Sequence, residues 1–74
     1  MNAKYTAILE REKHGYYAYC PELKGCHTQG ETVEEALDNL REAAELYLET
    51  LTAKERSALS SRSILTTSLE LSHA

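Results

Sequence analysis

At 74 residues the chain has room for one small domain, and a net charge of -4 argues against a nucleic-acid surface, which needs clustered Lys and Arg. With 42% hydrophobic and 27% charged residues, three Gly and one Pro, the composition is that of a globular protein rather than a disordered one. The opening stretch MNAKYTAILE holds no long apolar run, so it reads as neither a signal peptide nor a membrane span. The expectation is a cytoplasmic protein in which Cys20 and Cys26 are reduced thiols.

Residues Lys4 to Glu10 place Tyr5, Ala7 and Leu9 on one face and Thr6, Ile8 and Glu10 on the other, a strand pattern rich in Tyr, Thr and Ile. The polar run Arg11-Glu12-Lys13-His14-Gly15 breaks it, with Gly15 free to take a positive φ in a tight turn. Tyr16 to Cys20 then reads as a second strand that closes a hairpin and stops at Pro21, which cannot donate to a ladder. Pro21 to Gly25 is a loop with one apolar anchor, Leu23. Cys26 to Gln29 is short enough for a third strand, and Gly30 turns the corner.

The longest element is a helix over Thr32 to Leu51. Thr32 is a good N-cap, and Glu35 three residues later gives the capping-box spacing, while Glu34 and Glu35 suit the positive end of the helix dipole. Val33, Ala36, Leu37, Leu40, Ala43, Ala44, Tyr47, Leu48 and Leu51 recur at threes and fours and define one apolar face. A helix of roughly 20 residues is about 30 Å long and must cross the whole domain. Thr52-Ala53-Lys54-Glu55 repeats the capping-box spacing and predicts a short second helix to about Leu59, after which Ser60, Ser61 and Ser63 break the pattern. Ile64 to Leu71 reads as a final strand, pairing either with the sheet of its own chain or with a second copy. The predicted fold class is therefore α+β: an antiparallel three-stranded sheet packed against one long helix, with a short second helix and a C-terminal strand.

No constellation suited to catalysis stands out. Cys20 and Cys26 are separated by five residues, unlike the paired spacing of zinc sites, and are read as small buried hydrophobes, so neither a metal nor another cofactor is expected. Cys26 and His27 are adjacent, so in a strand they point to opposite faces and cannot form a nucleophile–base pair. The helix carboxylates form a solvated face on which Arg41 can pair with Asp38 or Glu45. The chain is accordingly expected not to be an enzyme. Tyr16, Tyr17 and Tyr19 fall within four residues, so strand alternation turns at least one away from the core. With Lys and Arg scattered among acids, this fits a protein interface better than base stacking, and a plain structural role in cross-strand packing fits as well as either.

The order YYAYCPELKGCHTQGET (16–32) followed by VEEALDNLREAAELYLE (33–49), with the opening strand from Lys4 to Glu10, resembles the HicB antitoxin family over about residues 4–50. The resemblance implies a single HicB-like domain over residues 1–74, with a fold like a partial RNase H: a three-stranded sheet, a helix and a further strand. It further implies the antitoxin of a type II toxin–antitoxin system. Such an antitoxin binds a HicA toxin, a small basic mRNA-cleaving ribonuclease, and occludes its active site. The surface expected to meet that partner combines the sheet tyrosines with the following loop: Tyr16, Tyr17, Tyr19, Pro21, Glu22 and Leu23. Many family members carry a C-terminal DNA-binding domain. Here residues 52–74 leave room for a short helix and one strand only, so DNA binding through Ile64 to Leu71 is the lesser expectation. The alternative is a stand-alone homo-oligomer. Self-association, as dimer or tetramer, is expected from the small size and the apolar final strand.

Overall fold

In the computed structural model, which describes residues 4–60 and 62–72, three strands precede two helices. They are β1 (Ile8–Glu12), β2 (Gly15–Tyr19), β3 (His27–Gly30), α1 (Val33–Glu49) and α2 (Ala53–Ser60). The sheet order is β1-β2-β3, all antiparallel, with α1 across β2 and β3. The expected α+β class and three-stranded sheet on a long helix are present.

β1 begins at Ile8 rather than Lys4. The reason is a competing acceptor: the Thr6 backbone N–H donates to the two Glu22 carboxylate oxygens at 2.9 and 3.1 Å, and its hydroxyl donates to Glu22 Oε2 at 2.8 Å. Residues 4–7 are thus tied to the loop after β2 and not to a ladder. The hairpin reverses at Lys13-His14, between the paired Glu12 and Gly15, and Gly15 takes φ +143° as the turn demands.

The same glycine marks the tightest corner of the fold. A Cβ on Gly15 would sit 2.5 Å from the Gly30 carbonyl oxygen, and one on Gly30 would collide with the backbone of Ala36 in the first turns of α1. Helix and sheet approach this closely because Ala18 and Ala36, both fully buried, have no bulk to hold them apart.

Around them Cys20, Leu23, Cys26 and Leu40 complete the core, and Leu9, Tyr16, Ala43, Tyr47, Leu48 and Leu59 pack partly buried against it. Leu23 is the largest fully buried side chain, set in place by bonds from Leu23 N–H to the Cys20 carbonyl and from Cys26 N–H to the Leu23 carbonyl, each 3.0 Å.

The two capping boxes differ in detail. At α1 the Thr32 hydroxyl accepts from Glu35 N–H at 3.0 Å, but the Glu35 carboxylate reaches past Thr32 to Glu31 N–H at 3.2 Å. At α2 the box is reciprocal: Glu55 N–H donates to the Thr32-like cap Thr52 at 3.1 Å, and Thr52 N–H donates to Glu55 Oε1 at 2.8 Å. Helix α1 ends at Glu49, two residues short of the expected Leu51. Thr50 closes it by donating its backbone N–H and its hydroxyl to the Tyr47 carbonyl. No basic residue in the last turn supports a longer helix.

After α2, residues 62–72 hold no regular secondary structure. The strand expected over Ile64 to Leu71 is not formed within this chain: among the described residues the sheet consists of β1, β2 and β3, and residues 64–71 pair with none of them. Leu65, Leu69 and Leu71 are 93%, 80% and 69% exposed. Ser61, part of the expected serine break, and His73 lie outside the described residues.

Candidate partner-binding face

Register decides which tyrosines are available. On the covered face Leu9 pairs with Ala18, Ala18 with Thr28, and Tyr16 with Gly30, all directed toward α1. On the opposite face Ile8 pairs with Tyr19 and Glu10 with Tyr17, while Tyr17 pairs with Gln29 and Tyr19 with His27. No described element covers this second face. Its centre is aromatic: the Tyr17 ring lies 5.6 Å from that of Tyr19 and 5.7 Å from that of His27, both tilted. Glu10 and Glu12, exposed on β1, give it an acidic rim.

The six residues expected to meet a partner are therefore divided by the fold. Tyr17 and Tyr19 stand together on the open face. Tyr16, the neighbour of both in sequence, packs against the core beneath α1. Pro21 is half-buried at the end of β2, and Leu23, 1% exposed, is a core residue. Glu22, 7% exposed, spends its carboxylate inside the molecule: it holds Thr6 and accepts from the Cys20 thiol at 3.4 Å. Burial pushes the Glu22 carboxyl upward, but the hydrogen bonds from the Thr6 hydroxyl and backbone outweigh it and hold the group below its ordinary value. Glu22 and Leu23 thus act as a clasp between the loop, the N-terminal segment and the core. His27 joins the aromatic cluster instead. Alternation from Cys26, which turns inward, was enough to place His27 outward.

The thiols are chemically quiet. Burial, then the bond to Glu22, pushes Cys20 up to about 11, and burial also raises Cys26, so neither is a thiolate near neutral pH. Both are free, and a backbone bond from Cys20 N–H to the Cys26 carbonyl, 3.2 Å, prolongs the β2–β3 pairing between them. Among the described residues there is no group of three or more His, Cys, Asp or Glu able to hold a metal ion. Nor is any helix long and apolar enough to cross a membrane. Arg41 pairs with Asp38 at 3.6 Å on the exposed side of α1, a contact worth little in water.

Comparison with known proteins gives a consistent answer. The family model described as the HicB-like antitoxin of bacterial toxin–antitoxin system matches residues 5–72. A UPF0150 protein of Synechocystis is 57% identical over 53 residues, covering 70% of this chain and 67% of that protein. One of Helicobacter pylori is 44% identical over 69 residues, covering 93% of this chain and 96% of its own length. One of Thermoplasma acidophilum is 49% identical over 49 residues, or 65% of this chain and 71% of that protein. No solved structure matches. With a family model spanning both the sheet that carries the tyrosine face and the helix that supports it, the chain belongs to the HicB-like antitoxin family of bacterial toxin–antitoxin systems.

Proposed function

We propose that the protein neutralises a HicA-type, mRNA-cleaving ribonuclease by laying the open face of its sheet over the toxin's active site. The observation that carries this reading is the uncovered cluster of Tyr17, Tyr19 and His27 beside Glu10 and Glu12. Tyrosine offers a large contact area with few rotors to freeze, and it is enriched where partners meet. Acidic residues at the rim suit a basic partner, whose encounter they accelerate. The chain's net charge of -4 acts in the same direction. Pro21, half-buried at the end of β2, borders this contact, while Tyr16, Glu22 and Leu23 hold the face in shape from behind. In this reading the protein is a binding module of the cytoplasm, and the partial RNase H-like fold implied by the family resemblance serves as a scaffold rather than as a nuclease.

The test is growth rescue. The product of the adjacent reading frame, expressed alone, is expected to arrest growth, and this chain is expected to restore it. The variant carrying Tyr17→Ala and Tyr19→Ala is expected to fold and fail to rescue. A harmless neighbour product, or undiminished rescue by the double variant, overturns the proposal.

A further inference from the structure

A second surface lies apart from the tyrosine face. Helix α1 packs mainly on β3 and β2, and on the inner side of the β1 end of the sheet Leu9 packs partly buried against the core. Between that end and the helix runs a groove of about 790 Å³, walled by Tyr5 and Ala7 on one side and by Leu37, Leu40, Ala44 and Leu48 on the other. The beginnings of the two sheet edges also differ. On β3, the Asn39 side chain of α1 donates to the Gln29 carbonyl at 2.8 Å and blunts that edge, while the β1 edge receives no such cover among the described hydrogen bonds.

The segment after α2 has the complementary need. Its Leu65, Leu69 and Leu71 stand in solvent, an unusual arrangement for three large apolar residues within seven positions. The root of this arm is fixed, because Leu59 packs against the core and the Arg62 guanidinium donates to the Glu22 carbonyl at 3.5 Å. From there the arm leaves the body. The radius of gyration is 14.4 Å and the longest extent 49 Å, whereas a compact chain of this length has a radius near 11 Å. Turning the arm back onto its own groove would require a reversal soon after Arg62, and no Gly, Pro, Asn or Asp follows Leu51; serines and threonines, weaker turn formers, are present instead.

We infer that the groove of one chain receives the C-terminal arm of a second copy, so that two chains exchange residues 63–72 in a closed, two-fold dimer. Ten extended residues reach roughly 33 Å, about twice the 17 Å or so that α1 rises from Leu37 to Leu48. The arm is therefore long enough to bridge to a neighbour and still fill the groove. Exchange is reciprocal, so both exposed arms and both empty grooves are satisfied at once and no open chain of copies results. Once seated, the arm runs beside residues 5–9 as the strand that a single chain fails to form. The inference uses none of the residues of the tyrosine face and stands or falls separately from the toxin reading.

Sedimentation and small-angle scattering of the full-length chain at tens of micromolar test it. The expected species is at twice the 8.3 kDa chain mass. The variant with Leu65, Leu69 and Leu71 all replaced by Ser is expected at the single-chain mass with its helical far-UV circular dichroism signal retained, since those side chains touch little in the single chain and only the strand made by the seated arm is lost. Two further variants separate exchange from any other dimer. A chain ending at Arg62 and a full-length chain with Ala7→Trp, which fills the groove at an exposed position, are each expected to be monomeric alone and to form a one-to-one complex when mixed. A wild-type monomer overturns the inference, whether its radius stays near 14 Å or contracts toward 11 Å through closure of the arm on its own groove. So does a dimer that survives the triple serine substitution, or a mixture of the two variants that stays monomeric.

Discussion

The two faces of one short strand are put to different uses. Ala18 is fully buried under α1, whereas Tyr17 and Tyr19, its neighbours on either side, stand on the uncovered face with their rings 5.6 Å apart. On the covered face the small Ala18 sits between β1 and β3, and near its Tyr16 end the backbone approaches so closely that a single Cβ at Gly30 would collide with Ala36. On the open face the side chains are large and touch mainly each other and His27. Over the three residues Tyr17, Ala18 and Tyr19, the small one is inside and the two large ones are outside. The covered face carries the packing that stabilises the fold, and the proposed function assigns the open one to contact.

Substitutions that act on one face and spare the other break this comparison cleanly. Leu23→Ala is expected to have the largest effect on stability, about 3 kcal/mol in urea denaturation, because it empties the largest fully buried site in the core. Next is Glu22→Gln, expected to cost about 1–2 kcal/mol near neutral pH through loss of the charged acceptor that holds Thr6. Its signature is in the pH dependence. The folded Glu22 carboxyl lies below its unfolded value, so its contribution is complete above the unfolded pKa and is lost as pH falls through the folded one. The variant's stability curve should therefore fall less steeply on the acid side than the wild type's.

Thr32→Ala removes the hydroxyl that accepts from Glu35 N–H and is expected to cost about 1 kcal/mol, seen as a lower thermal midpoint. Smallest are Tyr17→Ala and Tyr19→Ala, each expected to change stability by no more than about 1 kcal/mol, the scale of neighbouring pairs on a sheet face. An open-face substitution as costly as Leu23→Ala would show that the tyrosines belong to the core after all.

What the sequence made legible follows from how local each signal is. The caps at Thr32 and Thr52, the stop at Pro21 and the 3–4 spacing of α1 are carried by neighbours in the chain, and the elements they announce are present. Alternation required that at least one tyrosine face outward; the register makes it two, and leaves Tyr16 inside. The same reasoning applied to His27 would have put it on the open face. The role of Glu22 was not legible, because its partner Thr6 is 16 residues away and nothing in a Pro-Glu-Leu loop reveals a buried acceptor. Leu23 was legible as the apolar anchor of its loop, but not the depth of its burial, which depends on two turn hydrogen bonds and on a core shared with Ala36 and Leu40 of α1. The final strand shows the limit of pattern reading. Ile64 to Leu71 has the composition of a strand, but a strand exists only where a partner edge meets it.

The most direct test of the open face is a calorimetric titration of the purified toxin into the wild-type chain and into the chain carrying Tyr17→Ala and Tyr19→Ala. The double variant is expected to bind about 30-fold more weakly or worse, corresponding to a loss of roughly 2 kcal/mol at a contact centre, while unfolding close to the wild-type urea midpoint. Equal affinity in the two titrations, with both chains folded, would contradict the assignment of this face to the toxin.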